Sequence, residues 1–143
     1  MSDANKAIVA RLYEGVFSQG DLELLDELVS PDVVNHSVPP GLPPGIEGMR
    51  QQASMIHDGL PDLRTNIDDM IAEGDQVVTR WTGTGTHQGE LMGVAPTGKT
   101  ITVSGVGIHR IADGKVVEHR DIFDQLAFMQ QLGAIPGPDQ GGN

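Results

Sequence analysis

Apolar residues recur at helical spacing through the first 60 residues and at alternate positions through most of the rest. Ile8, Leu12, Val16 and Phe17 follow one another at spacings of four, four and one, with Val9 and Tyr13 beside them. That stripe predicts an amphipathic helix over 3–19, capped at its start by Ser2 or Asp3 and closed by Gly20. Leu22, Leu25 and Leu28 share a face of a second, shorter helix over 21–29, with Asp21 as its cap and Pro31 as its stop. Residues 32–36 form a short extended piece leading into the turn-rich stretch 39–45, because X-Pro steps disfavour helix. Ile46, Met49, Ala53 and Ile56 mark a third helix over 46–57, which Gly59 and Pro61 end.

From Leu63 the period changes to two. Leu63, Thr65, Ile67 and Asp69 alternate with polar neighbours up to the turn at Glu73-Gly-Asp75. Two long β-prone runs cover 76–87 and 100–111, joined by a connection over 89–98. Ala112-Asp-Gly114 reverses the chain into a strand over 115–123, and Asp124 caps a last helix over 125–132 that Gly133 closes. Helices first and long antiparallel strands afterwards predict an α+β fold: a concave, curved antiparallel sheet whose open side the N-terminal helices close around a pocket. Residues 1–135 form one domain, and 136–143, rich in Gly and Pro without an apolar anchor, form a flexible tail.

Composition narrows the function. Twenty acidic against nine basic residues give a formal charge of −11, which repels a phosphate backbone and makes nucleic acid an unsuitable partner. No apolar run approaches the roughly 20 residues needed to span a bilayer, and the N-terminus lacks the pattern of a signal peptide, so a cytoplasmic protein without a membrane partner is expected. There is no cysteine. Thiolate chemistry and cysteine-based metal sites are therefore excluded, and any catalysis must use oxygen and nitrogen groups.

The densest chemistry lies in 108–123. Two registers of this hairpin compete. A three-residue loop Ala112-Asp113-Gly114 with a bulge at Gly114 pairs Gly107 with His119 and Gly105 with Asp121; a two-residue turn Asp113-Gly114 shifts the pairing and sets Glu118 opposite His109. The first is preferred because it separates an inward face of His109, Val117, His119, Asp121 and Phe123 from an outward face of Arg110, Glu118 and Arg120. On it, Asp121 sits between apolar walls that raise its pKa, so that it can take and return a proton, with His119 beside it. The same His-x-Asp triplet also fits a buried pair that satisfies itself between strands. Gly83, Gly85, Gly105 and Gly107 mark either curvature of the sheet or room for a ligand. A two-His-one-carboxylate metal set of His109, His119 and Asp121 has no clear ligand spacing.

Several motifs carry a resemblance: Asp113-Gly-Lys-Val-Val-Glu-His-Arg-Asp121 with Phe123-Asp124, Gln130-Gln-Leu-Gly133, Gly85-Thr-His-Gln-Gly89 with Met92-Gly93, and Pro96-Thr-Gly98. The chain is similar, from its first helix to Gly133, to the SnoaL-like polyketide (ester) cyclases of the nuclear transport factor 2-like superfamily. The resemblance implies that Asp121 is the acid/base of an intramolecular aldol ring closure on a polyketide ester, with no metal and no organic cofactor, while the hairpin register expects His119 to hydrogen-bond the substrate or tune Asp121. It implies a hydrophobic small-molecule substrate and a homodimer or higher homo-oligomer, whose outer sheet face carries Val106, Ile108 and Ile122. The family's pocket histidine is replaced here by Gly107, with His109 two places on. His109, Asn35, His36, Trp81, Phe123, Tyr13 and Phe17 complete the candidate substrate-binding set. For Trp81, Tyr13 and Phe17 ordinary core packing is the competing explanation, and for Asn35 and His36 it is a polar pair beside a turn. The same scaffold also suits an isomerase, a dehydratase, an epoxide hydrolase, a hydroxylase or a binding protein without turnover.

Overall fold

In the computed structural model, which describes residues 2–37, 41–91 and 93–134, the N-terminal stripe forms a helix that changes pitch. Helix α1 (Ser2–Arg11) runs directly into a π-helical segment, Leu12–Ser18. Asp3 lies inside its first turn. Val9, Leu12, Tyr13 and Val16 are buried, as the four-residue spacing requires. The second helix is shorter than the leucine spacing predicts. α2 covers Leu24–Leu28 only, Asp21 contributes a backbone turn through its carbonyl, and the chain is already extended at Val29.

Strand β1 (Val29–Asn35) corrects the expectation of a wholly antiparallel sheet, because it lies parallel to the last strand at the sheet's edge. Helix α3 (Ile46–Gly59) follows, then β2 (Arg64–Glu73), β3 (Gln76–Thr86), β4 (Thr100–Ala112), β5 (Lys115–Phe123) and α4 (Gln125–Leu132). The sheet order is β1-β5-β4-β3-β2, and every pairing other than β1 with β5 is antiparallel. Parts of the turn-rich stretch 39–45, Met92 and the tail 136–143 lie outside the described residues.

The curved sheet buries one face beneath α1, the π-helical segment, α2 and α3. Leu12, Val16, Leu25, Val29, Met49, Val77, Ile111 and Val116 belong to that core. A second cluster of Leu60, Leu91, Ile101, Phe128 and Leu132 seals the sheet end beside α4. Asp124 caps α4 by accepting the Ala127 N–H at 3.0 Å, as its position before the last helix predicts.

The β4–β5 hairpin follows neither anticipated register. Asp113 and Gly114 both have positive φ, 53° and 77°, and form a two-residue turn with Ala112 opposite Lys115. A bulge between Ile111 and Arg110 then adds one residue to β5, so that Arg110 faces Glu118, His109 faces His119 and Gly107 faces Asp121. Val117 is that extra residue. Val116, fully buried opposite Ile111, supplies the inward apolar contact expected of Val117.

Candidate functional site

The register sets the inward side chains in rows across the sheet. One row is Asn35, His119, His109 and Val77; the next holds Asp121, Gly107 and Thr79; a third holds Phe123, Gly105 and Trp81. Asp121 therefore stands between a row of imidazoles and a row of aromatic rings.

Its carboxyl turns toward the rings. Trp81 Nε1 donates to Asp121 Oδ1 at 3.2 Å, and the Tyr13 hydroxyl donates to Oδ2 at a long 3.4 Å. Burial pushes the Asp121 carboxyl up to about 7, while the Trp81 and Tyr13 bonds pull the other way. Burial, reinforced by the neighbouring carboxylate, raises the Tyr13 phenol above its ordinary value. Asp121 can thus exchange a proton near neutrality while Tyr13 keeps its own.

His119 does not pair with Asp121, contrary to the expectation from the triplet. Its Nδ1 lies 2.7 Å from His109 Nε2, and the two rings stack obliquely at 4.6 Å. Once the bulge has set the strands in register, the imidazole opposite is the nearest inward partner. Burial drives both pKa values down; His119 falls to about 4, with the charge of His36 adding to the effect, and His109 falls well below its usual range, with His119 adding to it. Both rings are neutral at pH 7. Among the described residues His109 Nδ1, Thr79 Oγ1 and Asn35 Nδ2 are buried without a hydrogen-bond partner.

The remaining candidates divide. Tyr13 is almost fully buried, stacked near Phe17 and Trp81 and edge-on to His109 at 5.8 Å. Phe17 lies beside the Tyr13 ring and packs on the core. Phe123 packs edge-on against Phe128 of α4. Asn35 faces inward and accepts the Ser37 N–H through Oδ1. His36 is a correction: it points to the outer face and bonds Glu118 at 2.6 Å, because adjacent strand residues point to opposite faces.

Ser37, Gly105 and Gly107 have roles beyond those read from the sequence. Ser37 Oγ accepts the Asp121 N–H at 2.7 Å and donates to the Asp121 carbonyl at 2.9 Å, pinning the backbone that carries the acid. Gly105 and Gly107 do not leave the space near Asp121 empty. A Cβ at 105 would lie 2.7 Å from Trp81 Cζ2, and one at 107 would fall on the Tyr13 hydroxyl. The room expected for a ligand is occupied by the chain's own rings. Two surface depressions lie elsewhere: one of about 160 Å³ on the outer face beside His36, Arg110 and Glu118, and one of about 550 Å³ beside Ser18 and Asp62. Neither touches Asp121.

The chain is similar in sequence and fold to several known proteins. The family model described as SnoaL-like polyketide cyclase matches residues 7–132. A nogalonic acid methyl ester cyclase of Streptomyces nogalater is 30% identical over 128 residues, which is 88% of this chain and 95% of the relative. TsrD from Streptomyces laurentii superimposes with a TM-score of 0.86 at 29% identity, covering 94% of this chain and 98% of its own. Wild-type IdmH from Streptomyces antibioticus does so with a TM-score of 0.78 at 36% identity, over 90% and 98%. No helix among the described residues is long and apolar enough to cross a membrane.

Proposed function

The chain belongs to the SnoaL-like polyketide cyclase family, and we propose that it closes a ring in a polyketide ester by an intramolecular aldol reaction with Asp121 as acid and base. One observation carries the reading: a partly buried carboxyl, pushed up to about 7, with two donors that orient it. As carboxylate, Asp121 removes a proton from a carbon α to a carbonyl. That carbon's electron pair then bonds to a second carbonyl carbon of the same molecule, and the displaced π pair becomes an oxyanion. Asp121, now protonated, returns the proton to that oxygen. One proton moves from carbon to oxygen, and no oxidant or reductant is required. A base whose pKa lies near the working pH suits both transfers.

Asn35 is the proposed hydrogen-bond donor to the substrate, because its buried Nδ2 lacks a partner among the described residues. His119 and His109 serve as a neutral polar wall, which replaces the direct assistance to Asp121 anticipated for His119. The substrate is a hydrophobic small molecule, as the aromatic surround of Asp121 suggests.

The test is conversion of nogalonic acid methyl ester and related polyketide esters, followed by chromatographic separation of the isomeric product. Asp121→Asn should lose about 10²-fold or more of the rate. Unchanged turnover in that variant overturns the assignment. A second reading, a small-molecule-binding protein without turnover, uses the same inward polar groups, Asn35 Nδ2 among them, only to hold a ligand. It predicts saturable binding of the same esters with no product from the unmodified chain.

A further inference from the structure

Tyr13 reaches Asp121 only because position 107 carries no side chain. Gly107 lies between Asp121 on β5 and Thr79 on β3, directly beneath the Tyr13 ring. A Cβ there would fall on the Tyr13 hydroxyl and 3.1 Å from His109 Cε1. Gly107 is not among the glycines with positive φ, so its backbone does not call for glycine. Glycine within a strand costs stability, and it is explained by what approaches it closely. Here that is a phenol oxygen.

The tyrosine has little freedom to place that oxygen elsewhere. It rises from the π-helical segment, a local widening that often marks functional positions. Phe17, Trp81 and His109 enclose the ring, with centroids 6.1, 6.3 and 5.8 Å away. Its hydroxyl donates to Asp121 Oδ2. We propose that Gly107 and Tyr13 act as one unit, in which Gly107 is the seat that admits the Tyr13 hydroxyl and Tyr13 is the positioning residue that fixes the Asp121 carboxyl for proton transfer. The proposal rests on the reading of Asp121 as the acid and base.

The titratable groups facing Asp121 are Tyr13 from the N-terminal helix, His109 from β4 and His119 from its own strand; β3 contributes Trp81, which does not titrate. The two imidazoles bond each other, which leaves Tyr13 as the titratable side chain bonded to the carboxyl. The 3.4 Å separation is long, and such contacts tighten as charge develops.

A double-mutant cycle of Tyr13→Phe and Gly107→Ala tests the unit, read by the pH titration of the Asp121 carboxyl carbon in ¹³C-aspartate-labelled protein, by turnover and by thermal melting. The resonance is assigned by its loss in Asp121→Asn. Losing the donor should raise the midpoint by about one pH unit in Tyr13→Phe. That lowers the ionised fraction, and kcat, by about five-fold at pH 7 with little change in KM. Gly107→Ala should give the same rise by displacing the hydroxyl. The double variant should show the rise once, not twice, and should melt higher than Gly107→Ala, because the atom in collision is gone. An unmoved midpoint in Tyr13→Phe overturns the proposal, and so does a melting loss in Gly107→Ala that is equally large without the hydroxyl. If Gly107→Ala alone does not fold, the folding of the double variant decides the seat and Tyr13→Phe decides the positioning. The titration needs no turnover. A shifted midpoint together with a fully active Asp121→Asn refutes the acid/base reading, whereas an unmoved midpoint with an inactive Asp121→Asn refutes only the Tyr13–Gly107 unit.

Discussion

His109 and His119 meet nitrogen to nitrogen across β4 and β5, Nε2 to Nδ1 at 2.7 Å, and both are buried. A 2.7 Å bond between two imidazoles needs one proton between them, so at least one nitrogen of the pair must stay unprotonated.

That relationship fixes how stability depends on pH. Both folded pKa values lie below the unfolded value of about 6.5, His119 at about 4 and His109 well below its usual range. Between those limits the unfolded chain binds more protons than the folded one, so stability is complete above about pH 6.5 and is lost as pH falls. Asp121 opposes this. Its folded pKa of about 7 is raised, so its contribution grows as pH falls from 7 toward 4. Two imidazoles against one carboxyl still leave a net loss, about 1 kcal/mol between pH 6.5 and 5. Urea denaturation at those two pH values should show it, and His119→Gln should flatten the dependence. Equal stability of the unmodified chain at both pH values would refute the neutral pair.

Trp81 Nε1–H is the shorter of the two donors to Asp121. If Asp121 is the base, kcat/KM should rise with pH through about 7, where the carboxyl ionises. Trp81→Phe keeps a ring over Gly105 and removes the N–H, so the carboxylate loses stabilisation and the rising limb moves to higher pH by up to about one unit. Rate profiles from pH 5 to 9 measure it. A limb that stays in place would mean that the indole only packs.

What could be read in advance, and what could not, follows from which interactions are local. β5 and α4 begin and end where alternation, Asp124 and Gly133 place them, since turn and cap chemistry resides in adjacent residues. The bulge at Val117 does not announce itself, because Val116 and Val117 are alike and only packing against Ile111 decides which one leaves the ladder. Parity put His109, His119 and Asp121 on one face. The choice of partner among them depended on that single unseen residue. The bond from Trp81 to Asp121 spans three strands and the gap at Gly105, and the Ser37 clasp needs β1 beside β5 in parallel; neither leaves a mark in local sequence. Acidity at Asp121 was inferred from flanking apolar residues, and the rings that enclose it come from elsewhere in the chain.

Asn35 and His36 are sequence neighbours that strand geometry sends to opposite faces, and their variants should separate accordingly. His36 Nε2 bonds Glu118 on the exposed face, where Glu118 also accepts Arg110 Nε at 2.9 Å and Arg110 approaches Asp75. The bonds from His36 and Arg110 hold the Glu118 carboxyl below its ordinary range, and the network is open to solvent. Exposed pairs of this kind contribute little to stability. His36→Ala should therefore leave KM and kcat unchanged and melt slightly lower. Asn35→Ala removes an inward amide whose Nδ2 has no partner among the described residues and should raise KM. Steady-state kinetics on one polyketide ester compare the two directly. A rise in KM for His36→Ala with none for Asn35→Ala would mean that substrate approaches from the outer face, and the interior placement of the reaction would then fail with it.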